Sequence, residues 1–90
     1  MSFGETLKSL RLRSGLSRYR LAEFSDITQA YILRLETGER SKPSRDVVLK
    51  LGLSLIKGSE ALEIWDIDVL LLSAGYAELR GRGDIGSEAA

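Results

Sequence analysis

Apolar residues recur at helical spacing along most of this chain, and Gly, Ser, Thr and Asp punctuate them. Ser2-Phe3-Gly4-Glu5 has the capping-box form Ser-x-x-Glu, and Phe3, Leu7 and Leu10 follow on one face. The spacing predicts a helix to about Ser14 that stops at Gly15. Ser17 caps a second helix, Arg18 to Ser25, with Leu21, Ala22 and Ser25 inward, and Asp26 sits in a tight turn. Thr28 caps a third, within "DITQAYILRLETG", ending near Gly38. Wound at about 100° per residue, this helix turns Ile32, Leu35 and Tyr31 to one side. Gln29, Ala30, Leu33, Arg34 and Thr37 fall on the other. A solvated face should be mostly charged; this one mixes an amide, a small apolar group, a Leu and an Arg.

"GERSKPS" reads as a loop, and Pro43-Ser44 opens a fourth helix, Arg45 to about Leu55. Val48, Leu51 and Leu55 point inward, and Gly52 on the same face admits close approach of another helix. "EIWDIDVLLLSAGYAEL" is ambiguous. Trp65, Ile67 and Val69 alternate as in a strand, whereas Trp65, Val69, Leu72 and Tyr76 fit a helix. No second strand is evident to pair with, so a helix ending near Ala74 or Gly75 is expected. The fold class is all-α, with five helices. Residues 1–57 read as one domain and 58–80 as an apolar helical segment. Residues 81–90, poor in apolar groups, read as a disordered tail.

Ninety residues suit a single domain that buries about 60–65% of its unfolded surface. The chain has no Cys and no His, which removes disulfides, thiolate metal sites and the commonest general base. No nucleophile–base pair or metal cluster is evident, so neither an enzyme nor a cofactor or metal site is expected. "MSFGETLK" lacks the apolar run of a signal peptide, and "VLLL" is too short to span a membrane, so the expected compartment is the cytoplasm. The net charge of zero hides a division. Residues 1–45 carry nine Lys/Arg against five acids, and residues 46–90 carry four against eight. Such segregation suits a polyanion-binding end and a second end with another task.

Two short helices joined by a tight turn, the second with one apolar and one presentable face, make a helix-turn-helix. The stretch "LRLRSGLSRYRLAEFSDITQAYILRLETGER…PS" resembles the Cro/repressor-type, or xenobiotic-response-element-type, helix-turn-helix family over Phe3 to about Leu55. The resemblance rests on Arg11, Gly15, Leu16, Ser17, Leu21, Ala22, Ile32, Leu35, Glu36, Gly38, Arg40, Pro43 and Ser44. Three positions depart from the pattern: Arg18 replaces a Gln, Asp26 the turn Gly, and Gly52 a small Ala.

The resemblance implies a lambda-repressor-like DNA-binding domain whose third helix, residues 28–37, lies in the major groove. Base-edge contacts then fall to Gln29, Ala30, Leu33 and Arg34. Lys8, Ser17, Arg18, Thr28, Tyr31, Arg40 and Lys42 become candidate phosphate contacts. Arg11 and Glu36 match a structural ion pair. The bland readings are an ordinary exposed Leu33, a plain solvated Gln29 and basic residues that merely face water. Phe24, on the outer side of the second helix, either packs under the loop after Gly38 or joins an interface. Ser54-Leu-Ile-Lys57, Asp66-Ile-Asp68 and Arg82-Gly-Asp84 resemble a penicillin-recognising motif, a cation site and an adhesion tripeptide, and read as accidents.

The apolar residues of the last segment exceed what one helix face can bury. They predict a homodimer centred on Trp65, Val69 and Leu72, with Tyr76 beside them. The alternative is that they complete the protein's own core. The expected function is a sequence-specific, bacterial or phage transcriptional regulator, dimeric on double-stranded DNA and acting as a repressor. The alternatives are an antitoxin that pairs with a toxin and represses its own operon, or a protein-interaction module without DNA binding.

Overall fold

In a computed structural model, residues 2–79 are described; the tail expected over 81–90 lies outside them. Five helices follow in order: α1 (Phe3–Ser14), α2 (Arg18–Ser25), α3 (Gln29–Thr37), α4 (Arg45–Lys57) and α5 (Ile64–Ser73). No strand occurs among the described residues.

The predicted punctuation holds at the starts of α1 to α4 and the ends of α1 to α3; α4 runs past the expected Leu55 to Lys57, and α5 begins at Ile64, where no start was predicted. Ser2 Oγ accepts the Glu5 N–H (3.2 Å) and the Glu5 carboxylate accepts the Ser2 N–H (3.0 Å), closing the capping box. Donation to it from Ser2, by the backbone N–H foremost and the side chain second, holds the Glu5 carboxyl below its ordinary value. Ser17, Thr28 and Ser44 cap α2, α3 and α4 by accepting from Arg20, Tyr31 and Val47. Asp26, at φ 62° and ψ 27°, is the one non-glycine in the left-handed region among the described residues. Its N–H donates to Ala22 O at 3.0 Å, ending α2 and turning the chain into α3.

α1 packs on α3, α4 and α5, α2 on α3 and α4, and α4 on α5. One core runs through all five helices and includes Leu7, Leu21, Ile32, Leu35, Val48, Leu51, Leu55, Ile67, Leu70 and Leu71. Gly52 does admit close packing: a Cβ there would meet the Ile67 side chain at 3.2 Å. Gly4 serves the same purpose without having been foreseen, since a Cβ on it would strike the Leu35 and Glu36 carbonyl oxygens.

The strand-like alternation in α5 is a by-product of helical spacing. Ile67, Leu70 and Leu71 point inward and are buried, while Trp65, Val69 and Leu72 lie outward at i, i+4 and i+7. Half of the apolar surplus thus completes the core. The other half stays on the surface, with Trp65 46%, Val69 50% and Leu72 56% exposed. Tyr76 does not join that stripe: it is half-buried and its hydroxyl donates to Pro43 O. Phe24 packs neither under the loop after Gly38 nor inside the core. Its ring lies beside Gly58 with Leu16, at the carboxyl end of α4, and remains partly exposed.

Candidate nucleic-acid interface

The turn at Asp26 sets α3 against α2, and Ile32 and Leu35, both fully buried, fix its rotation. That rotation leaves Gln29, Ala30, Leu33, Arg34 and Thr37 exposed together along one side. Leu33 is 43% exposed on a helix whose other large aliphatics are buried. Tyr31 is half-buried at the edge, with the Arg40 guanidinium 5.9 Å from its ring centre.

Around this face lie backbone donors and cations. Ser17 and Thr28 each use an oxygen to cap a helix, which leaves their hydroxyl hydrogens able to donate outward. The loop after α3 folds back when the Arg40 N–H donates to Arg34 O at 3.0 Å. Tyr31, Glu39, Arg40, Ser41 and Lys42 line an open groove there. Lys8 is exposed on α1.

Two of the arginines expected at DNA, Arg34 and Arg18, are ion-paired within the protein. Arg34 Nε meets Glu39 at 3.1 Å, with both side chains more than half exposed. Such a pair is weak and costs about 0–1 kcal/mol to open. Arg18 Nε donates to Glu36 Oε1 at 2.9 Å, which the sequence reading did not foresee. The same carboxylate takes a bidentate pair from Arg11, Nε to Oε2 at 2.5 Å and Nη2 to Oε1 at 3.1 Å. Arg11 Nη1 also donates to Leu16 O at 3.0 Å. The Glu36 side chain is almost wholly buried and that of Arg11 nearly so, while Arg18 is about a third exposed. Arg11, Arg18 and Glu36 therefore bind α1, α2 and α3 into one unit. Its excess positive charge emerges at the amino end of α2. Arg at this position was legible as a phosphate candidate; its bond to Glu36 was not, because nothing local links residues 18 and 36.

Among the described residues no group of His, Cys, Asp and Glu is placed to hold a metal ion. No helix among them is long and apolar enough to cross a membrane. The arrangement is a two-helix unit that offers a mixed polar and apolar face, rimmed by cations and free N–H groups.

That geometry defines a class, and residues 2–52 match the helix-turn-helix domain family. The chain belongs to that family. It is similar to the HTH-type transcriptional repressor RghR of Bacillus subtilis (strain 168), at 38% identity over 77 residues. The match covers 86% of this chain and 51% of the relative, so the chain spans about half the length of the curated relative it matches. No solved structure matches it significantly.

Proposed function

We propose that this chain is a sequence-specific DNA-binding transcriptional regulator of the Cro/repressor type, and that it represses by occupying a site polymerase needs. The observation that carries the reading is the outward side of α3. Gln29, Ala30, Leu33 and Arg34 are exposed together on a helix whose opposite side is locked into the core. Similarity to a protein named a transcriptional repressor supports the direction of the effect.

In this reading α3 enters the major groove. Gln29, in the first turn, pairs its amide with adenine N6 and N7. Ala30 and Leu33 meet thymine methyls, and Arg34 leaves Glu39 for guanine O6/N7 or a phosphate. Ser17, Arg18 and Thr28 at the helix starts, with Tyr31, Arg40, Lys42 and Lys8, hold the backbone and set the register. Arg18 keeps its Nε on Glu36 and presents its outer edge, so it positions the domain without reading bases.

The α5 stripe of Trp65, Val69 and Leu72 pairs with the same stripe of a second copy. Among the described residues, four of the nine large exposed hydrophobics lie on this one helix, Ile64 being the fourth. Scattered singly such residues need no explanation; gathered on one helix they mark an interface. A two-fold pair would place two α3 helices about 34–36 Å apart on one side of a palindromic site.

Titrating a duplex against the protein at increasing salt tests this. Affinity should fall by about 0.9 log units per phosphate contact for each log unit of salt. Lys42→Ala should weaken every duplex alike and flatten that slope by about one contact. A salt-independent affinity, or no binding to any duplex at low salt, would overturn the proposal.

A further inference from the structure

One side chain ties the end of α5 to the cationic loop. Gly75 takes a φ of 87°, and the Tyr76 N–H donates to Leu71 O at 2.9 Å, so the chain reverses as α5 ends. The reversal carries the Tyr76 ring to the amino end of α4, where its hydroxyl donates to Pro43 O at 2.8 Å. Pro43 is fully buried, and with no N–H its carbonyl is its sole backbone polar group. Buried Asp68 accepts the Leu79 N–H at 2.7 Å, which holds the chain beyond Tyr76 against α5.

We infer that Tyr76 is a positioning residue for the loop 39–44 and, through it, for Arg40 and Lys42. The inference rests on the DNA-binding reading above. Arg40 is fixed at the near end of the loop by its N–H bond to Arg34 O. Pro43 is fixed at the far end by Tyr76, while Ser41 and Lys42 between them are exposed. A loop held at both ends loses less freedom when its cations meet phosphates, and affinity gains accordingly. The second clamp comes from the chain immediately after the helix that carries the proposed dimer stripe. It therefore also fastens that helix to the DNA-facing side.

Tyr76→Phe removes the hydroxyl and keeps the ring, so the core packing survives. The variant should bind a random-sequence duplex and a selected site more weakly by the same factor, about two- to tenfold, the span of one hydrogen bond's net worth. Sequence preference and dimer dissociation should stay as in the wild type, and the backbone amide resonances of Ser41 and Lys42 should shift. Unchanged affinity at 25 °C would overturn the inference if Lys42→Ala still weakens binding, even should Tyr76→Phe lower the thermal midpoint. Were Lys42→Ala neutral too while the wild type binds duplex, the loop would not meet phosphates and this inference would fall alone; were the wild type to bind no duplex at low salt, the DNA-binding reading itself would fall, and this inference with it.

Discussion

Glu36 receives three hydrogen bonds from two arginines at a point where almost no water reaches it. Removing its charge leaves Arg11 buried without a counterion, the expensive half of a broken ion pair. Glu36→Gln should lower unfolding free energy by about 3 kcal/mol in urea denaturation. Glu39 is the opposite case. It is exposed, it pairs with Arg34, and it sits among groups read as facing phosphates. Glu39→Gln frees Arg34 and removes a repelling charge, so it should tighten binding to all duplexes by about two- to fivefold, a gain of about 0.5–1 kcal/mol, with little change in stability. Fluorescence anisotropy with one random duplex reads both the gain and its salt dependence.

The helices meet where side chains are absent as much as where they fit. At Gly4 the first turn of α1 touches backbone of α3, and a methyl group there has no flexible neighbour to displace. Gly4→Ala should cost about 2–3 kcal/mol despite alanine's better helix propensity, measurable as a lower denaturation midpoint. Most element boundaries were legible in the sequence, because Ser2, Ser17, Thr28, Ser44, Gly15 and Gly38 act locally, within a turn of where they stand. The mixed face of α3 was legible for the same reason: the period of a helix is a local property. Contacts between distant residues mostly were not, apart from the Arg11–Glu36 pair that the family resemblance implied and the close approach at Gly52. Gly4 looked like part of a capping box, Arg18 like a free cation, and Phe24 like an undecided outer residue. The partners of Gly4 and Arg18 lie far along the chain, both on α3, and Phe24 meets the end of α4 as well as Arg20 one turn back. Tyr76 was misplaced on the dimer stripe because it continues the stripe's spacing. The turn at Gly75 ends the helix first, and the ring goes to Pro43 instead.

At the scale of the molecule, the cations after α3 and an outward apolar row gather on different elements. Cations of the first half rim α3, and the outward apolar row lies on α5. If that row joins two copies, one charge within it should part them. Leu72→Asp should leave a folded monomer in analytical ultracentrifugation and weaken a palindromic site far more than a half-site, since the second half no longer binds as part of one unit. A toxin seated on the row instead would leave the wild type monomeric in that experiment. The central claim is that α3 reads base edges with the row beginning at Gln29. It is tested most directly by selecting bound sequences from random DNA with the wild type and with Gln29→Ala. The claim predicts that preference for one base pair per half-site relaxes by about 1–3 kcal/mol while the other positions keep theirs. An unchanged preference at every position would contradict it.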